Sequence, residues 1–197
     1  FSRFLQGLRN GRPSSKRQVV VLNAACPMSR RLVGFVPASV AVAWTQGPDA
    51  PPPPEGARAD RVYRVAEVRP GKLGAFEGRI ERRDGDATTE LGWLQAGIPG
   101  MHNLLNAMQS LAVGEWLDVP FQRVAAALAA FPGMGRRFER VGMLNGAMLV
   151  DDYGHHPTEV AETLKAARAF HRAWQGDAAR DRKLVLAFQP HRFTRLN

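Results

Sequence analysis

Near Pro99-Gly100 the hydrophobic period of the chain changes, and only a fold mixing sheet and helix accommodates both halves of the pattern. Before that point apolar residues alternate or come in short β-branched runs, as strands require; after it they recur at helical spacing. Residues 19–22 and 40–44 read as buried strands, and 62–68 alternates like a half-buried one. Residues 73–82 and 88–95 read as two more, with the Asp84-Gly85 pair between them as a hairpin signal. A mixed or largely antiparallel arrangement is expected for 19–95. The proline-rich stretch 48–54 suits neither helix nor central strand and reads as a surface connection.

After the change, Leu104, Leu105, Met108, Leu111 and Ala112 mark one helix. Phe121, Val124, Leu128 and Phe131 mark a second, opened by Pro120 and closed by Pro132-Gly133. Residues 147–150 read as a strand ending in Asp151-Asp152. Val160, Leu164, Ala167, Phe170 and Trp174 then form a helix stripe behind Pro157 and Glu159, and 183–188 reads as a buried strand. Strand, helix and strand over 147–188 make a βαβ unit, which points to an α/β fold with a domain boundary near 133–146.

The 197 residues suffice for one domain or one domain plus part of another. The first residue is Phe1, and both ends stop within a pattern, so an internal piece of a longer protein is expected. No apolar run approaches the roughly 20 residues of a membrane span, so no membrane partner is expected. The single cysteine, Cys26, excludes an internal disulfide framework and fits a reducing, cytoplasmic setting. The net charge of +9 suits an anionic partner. Arg3, Arg9, Arg12, Lys16 and Arg17 lack an aromatic stacking platform, so they read as a solvated helix face and no nucleic-acid partner is expected.

Ligands of α/β sheets gather beyond the carboxyl ends of the strands. Both such ends in 147–197 are chemically loaded. The first leads into Asp151-Asp152-Tyr153-Gly154-His155-His156, the second into Gln189, His191, Arg192 and Arg195. Two carboxylates and two histidines suit a metal, a ribose or substrate orientation. They equally suit a solvated strand end with a helix cap. The two arginines suit a carboxylate or a phosphate. Asn103 and Asn106 offer amides that can read a base edge at a helix start; capping explains Asn103 well and Asn106 poorly. Gly133, Gly135, Arg136 and Arg137 form a basic loop able to approach phosphates closely. Gly71-Lys72 is no phosphate loop, because Leu73 follows it and Ala66 stands where glycine is required.

Taken in order, these segments resemble the Mur ligases. Residues 99–107, with His102-Asn103 and Asn106, are similar to the family's His-Asn-x-x-Asn segment, and 133–138 to its glycine-arginine loop. Residues 150–159 are similar to the opening of its C-terminal domain, and 188–195 complete the set. The match covers about half of the chain strongly and residues 1–98 more weakly. It implies that 1–140 is the second half of the central ATP-binding domain and 141–197 the beginning of the Rossmann-like C-terminal ligase domain.

The Tyr153-Gly154 version resembles the branch of the family that joins L-alanine to UDP-N-acetylmuramate. The branch acting on a murein tripeptide usually has Phe-Ala there. The resemblance implies ATP and Mg²⁺ as cofactors, and an acyl phosphate attacked by the alanine amine. It further implies Asn106 at adenine with Asn103 in support, Arg137 at the ATP phosphates and Asp152 at the ribose. Tyr153, His155, His191, Arg192 and Arg195 would face the reaction centre. Arg137, His155, His191, Arg192 and Arg195 are thus the catalytic candidates; Asn103, Asn106, Arg137 and Asp152 are the nucleotide-binding ones, and no metal ligand is assigned. The family's phosphate loop and its Mg²⁺-binding residues would precede Phe1, so the 197 residues alone are expected to be inactive. Rival readings are a metal hydrolase built on Asp151, Asp152, His155 and His156, and a basic nucleic-acid-binding remnant.

Overall fold

A computed structural model describes residues 18–176 and 183–189. Five strands form one sheet in sequential order: β1 (Val19–Asn23), β2 (Ala41–Gln46), β3 (Arg61–Pro70), β4 (Phe76–Asp84) and β5 (Ala87–Gln95). β1, β2 and β3 are parallel, with Val20 opposite Val42 and Trp44 opposite Val62. A crossover must join each parallel pair. The first contains the short helix α1 (Pro27–Leu32), and the second runs through the proline-rich stretch. β4 and β5 are joined by the tight turn Gly85-Asp86, with Gly85 at φ 58°, so the hairpin signal and the mixed sheet are both realised.

Val42, Ala43, Trp44 and Thr45 are consecutively buried, as a strand covered on both faces requires. Their polar groups are satisfied: Thr45 Oγ1 donates to the Leu22 carbonyl at 3.3 Å and Trp44 Nε1 to that of Arg58 at 3.0 Å. Leu22, Val40, Val42, Trp44 and Val62 form the core there.

Two helices follow, α2 (Met101–Trp116) and α3 (Phe121–Ala130). Leu104, Ala107, Met108, Leu111 and Ala112 are the buried stripe of α2, spaced as one helical face. The described secondary structure ends with the hairpin β6 (Glu139–Leu144) and β7 (Ala147–Asp151), then α4 (Pro157–Gln175).

The chain divides into two compact units. One holds the described residues up to Val68 with Gly78–Leu94 and Leu105–Ala127. The other gathers Arg69–Glu77, Gln95–Leu104 and the chain from Leu128 onward. In the second unit the single turn Lys72–Gly74 lies against α4. A side-chain carbon on Gly74 would stand 2.6 Å from the Phe170 Cα and 2.8 Å from the Ala169 carbonyl carbon. Gly74 also sits at φ 75°, so its conformation and its contact both require glycine. Phe138, Ala166 and Phe170 form the core of this unit, with the Phe138 and Phe170 rings edge to face at 5.7 Å.

Three expectations need correction. Residues 73 and 74 belong to the turn at Lys72–Gly74, where Leu73 has φ 49°, and Ala75 follows it, so the strand begins only at Phe76. β6 was not foreseen, although Asn145-Gly146, both at positive φ, is a strong hairpin signal. The last strand of the βαβ unit is absent: 183–188 is irregular, with Leu184, Val185, Leu186 and Phe188 exposed. An apolar run becomes a strand only against a partner ladder, and the ladder of β7 goes to β6.

Candidate functional site

The strand end after β7 turns directly into α4, and the cap of that helix organises it. His156 is the N-cap residue: its Nδ1 accepts the Thr158 N–H at 3.3 Å, which places the ring proton on Nε2. Pro157 occupies the first turn, where its missing N–H costs nothing. Glu159 closes the capping box. One of its oxygens, Oε2, accepts the N–H groups of His155 at 3.2 Å and His156 at 3.1 Å. These two donors, His156 first, hold the Glu159 carboxyl below the usual carboxylate range.

Asp152 ties this strand end to the glycine-arginine loop. Its Oδ2 accepts the Phe138 N–H at 2.9 Å and its Oδ1 the Gly154 N–H at 2.7 Å. The Tyr153 N–H donates to the Arg136 carbonyl at 2.8 Å. The Arg136 guanidinium stacks over the Tyr153 ring at 4.8 Å, with its Nε 3.4 Å from Asp151 Oδ2. His155 Nδ1 lies 3.1 Å from the Tyr153 carbonyl oxygen, and the two rings meet edge to face at 5.3 Å. Beside these residues opens a cleft of about 740 Å³, lined by Arg136, Asp151, Asp152, Tyr153, His155 and Gln189 among others.

Of the residues singled out from sequence, Arg136, Asp151, Asp152, Tyr153, His155 and Gln189 line this cleft. Arg137 does not; its Nη1 stands 3.9 Å from Glu159 Oε1 in a half-exposed pair. Asn103 is the third residue of α2, and its Nδ2 donates to the Pro99 carbonyl at 2.6 Å, closing the turn that precedes the helix. Asn106 lies on the exposed side of α2. His191, Arg192 and Arg195 lie outside the described residues.

Sequence reasoning did not foresee the contacts of three residues. Arg136 was legible only as a loop cation, whereas it stacks on Tyr153. Glu159 was legible only as a residue opening the helix beside Pro157, and is the latch of the cap. His102 entered only as part of the His-Asn-x-x-Asn segment, with no role assigned to it. Its Nδ1 is buried without a hydrogen-bond partner, and burial pushes its pKa down. The motif itself was its only signal. Among the described residues no group of three or more His, Cys, Asp or Glu gathers as a metal site. No described helix is long and apolar enough to cross a membrane.

Residues 136–188 match the family model described as Mur ligase, glutamate ligase domain. The chain is 48% identical over 141 residues to a UDP-N-acetylmuramate–L-alanine ligase of Geotalea daltonii, covering 71% of the chain and 28% of that protein. It is 41% identical over 140 residues to the protein of the same name from Desulforamulus reducens, covering 71% and 27%. The chain therefore spans little more than a quarter of the length of these relatives. Among solved structures, a UDP-N-acetylmuramate–alanine ligase of Thermotoga maritima superposes with a TM-score of 0.54 at 21% identity, covering 73% of this chain and 34% of that one. At that identity the likeness concerns the fold.

Proposed function

Because the chain belongs to the Mur ligase family, we propose that it forms part of an ATP-dependent ligase joining L-alanine to the lactyl carboxylate of UDP-N-acetylmuramate, in the cytoplasmic synthesis of peptidoglycan precursors. The observation that carries this reading is Asp152: a strand-end carboxylate fixed by two backbone donors at the wall of a cleft, in a chain 48% identical to a ligase of that name. In the reading, residues 1–140 belong to the ATP-binding domain and 141–197 open the ligase domain.

The residues present fit a nucleotide. A carboxylate offers about four lone-pair positions. Asp152 uses two on backbone N–H groups, which leaves acceptors for the ribose hydroxyls without moving the side chain. Asn106 is exposed and offers its amide to adenine, while Asn103 keeps the turn before it closed. Arg137 is held only by a long, half-exposed ion pair, so turning toward phosphates costs at most about 1 kcal/mol. Mg²⁺ would neutralise phosphate charge, but no described cluster gathers ligands for it and no step is routed through it.

The chemistry is two displacements. A lactyl carboxylate oxygen attacks the γ-phosphorus of ATP, the bond to the bridging oxygen breaks, and ADP leaves. The alanine nitrogen, having lost its ammonium proton, attacks the acyl carbon, and phosphate leaves as the amide forms. Positioning and charge neutralisation supply most of such catalysis. His155 and Tyr153, with His191, Arg192 and Arg195, are assigned to the reaction centre, where a guanidinium suits the alanine carboxylate.

The test is ADP release by the full-length protein that carries these residues. Release requiring both UDP-N-acetylmuramate and L-alanine supports the reading. Release with a murein tripeptide in place of alanine moves the protein to the tripeptide branch, and release with neither refutes the ligase reading. The 197-residue polypeptide by itself contains no glycine-rich phosphate loop and should show no alanine-dependent turnover.

A further inference from the structure

We propose that Arg136 binds the carboxylate of the incoming amino acid, an inference that rests on the ligase reading above. Among the described residues, Arg136 is the only arginine or lysine that lines the cleft beside β7. It is held on several sides. Its backbone N–H donates to Glu139 Oε2 at 2.7 Å, its carbonyl accepts the Tyr153 N–H at 2.8 Å, and its guanidinium lies over the Tyr153 ring at 4.8 Å. Arg136 sits at φ 58°, a conformation that a non-glycine residue keeps only where its surroundings fix it. The ion pair with Asp151, at 3.4 Å, engages Nε. Among the described residues none accepts from Nη1 or Nη2, so the guanidinium presents a planar fork of donors already set in place.

The charge pattern selects the ligand. Asp151 and Asp152 line the same cleft, so its one described cation stands among two carboxylates. A polyphosphate would meet their repulsion, and Arg137, assigned to the phosphates, does not line this cleft. An amino acid carries a carboxylate and an ammonium on one carbon. Set against the Arg136–Asp151 pair, its carboxylate meets the guanidinium while its ammonium faces a carboxylate. Both members of that pair are exposed, so it yields to a ligand at little cost. Val160 and Leu164 add an apolar wall suited to a short side chain. The same Tyr153 ring that carries Arg136 meets the His155 ring edge to face at 5.3 Å, so the carboxylate would sit beside residues assigned to the reaction centre. Arg136 binds and orients; it takes no part in making or breaking bonds.

The experiment follows ADP release by the full-length protein with L-alanine and with L-alaninamide, which keeps the amine and lacks the carboxylate. Arg136→Gln should raise the KM for alanine about ten- to hundredfold, the size of one lost hydrogen bond between charged groups, and leave the KM for ATP unchanged. Wild type should prefer alanine to alaninamide, and Arg136→Gln should lose that preference by about the same factor. A merely structural role would weaken both amines alike. Arg136→Lys keeps the charge without the fork and should fall between the two, which tests the assignment whether or not Arg136→Gln folds. An unchanged KM for alanine, a rise in the KM for ATP instead, or an undiminished preference for the carboxylate overturns the inference and leaves the ligase reading standing. No alanine-dependent ADP release by wild type overturns the ligase reading and takes the inference with it.

Discussion

The Asp152 carboxylate accepts the backbone N–H of Phe138, fourteen residues earlier in the chain, at 2.9 Å. A single side chain thereby joins two motifs that the sequence presents separately, the glycine-arginine loop and the strand end that leads into α4. Its other oxygen accepts the Gly154 N–H, so the loop and the turn into α4 share one anchor.

Asp152→Asn should expose that anchor. An amide places an NH₂ donor against one of two backbone donors and leaves it unsatisfied. A loss of about 1–3 kcal/mol in unfolding free energy is expected, together with a higher KM for ATP in the full-length protein. Denaturant unfolding and nucleotide titration measure the two effects, and an unchanged KM would remove Asp152 from the ribose site.

Arg136→Ala removes the stack on Tyr153 and an exposed ion pair with Asp151. Neither is worth much in water, so stability should fall by less than about 1 kcal/mol. A larger loss in chemical denaturation would mean that Arg136 carries structure beyond these contacts.

Glu159 should make the start of α4 acid-sensitive. Its folded-state pKa lies below the ordinary carboxylate value because the His156 and His155 N–H groups favour the charged form. Its contribution is therefore present above the unfolded-state pKa and lost as pH falls through the lowered one. The melting-temperature difference between wild type and Glu159→Gln should be largest near neutral pH and close on acidification. A difference that stays constant down to strongly acidic pH would contradict this.

Gly74→Ala should cost about 2–4 kcal/mol, since the new methyl meets the α4 backbone and cannot be relieved by a side-chain rotation. Gly85→Ala is the control: it too has positive φ, but nothing lies within 4 Å of its added carbon, so about 1 kcal/mol is expected. Equal losses in thermal unfolding would show that dihedral strain and not the contact with α4 makes Gly74 necessary.

Elements whose apolar pattern is self-sufficient were legible in the sequence. The face of α2 from Leu104 to Ala112, the buried run at Trp44 and the Gly85 turn each follow from local spacing and turn chemistry. The strand reading of 183–188 did not hold, because Val185 and its neighbours have the composition of a strand but no paired ladder among the described residues. At the site, the residue types at Asp152, His155 and Arg137 marked them as candidates, but which donors each would meet was not legible. That Asp152 reaches Phe138 follows from the β6–β7 register, which the Asn145-Gly146 turn signalled locally; that Ala166 comes beside Gly100 depends on α4 lying against an earlier segment, which no local pattern encodes.

Gly74 and Phe170 are separated by roughly a hundred residues, and a ribosome adding about 5–20 residues per second needs roughly 5–20 s to travel from one to the other. For that interval the growing chain carries a finished turn whose matching helix has not been made. The backbone at Gly74 is shaped for direct contact with α4, so closing this unit is a late event in synthesis. The rate of elongation across residues 75–170 therefore sets how long the nascent chain waits with that surface uncovered.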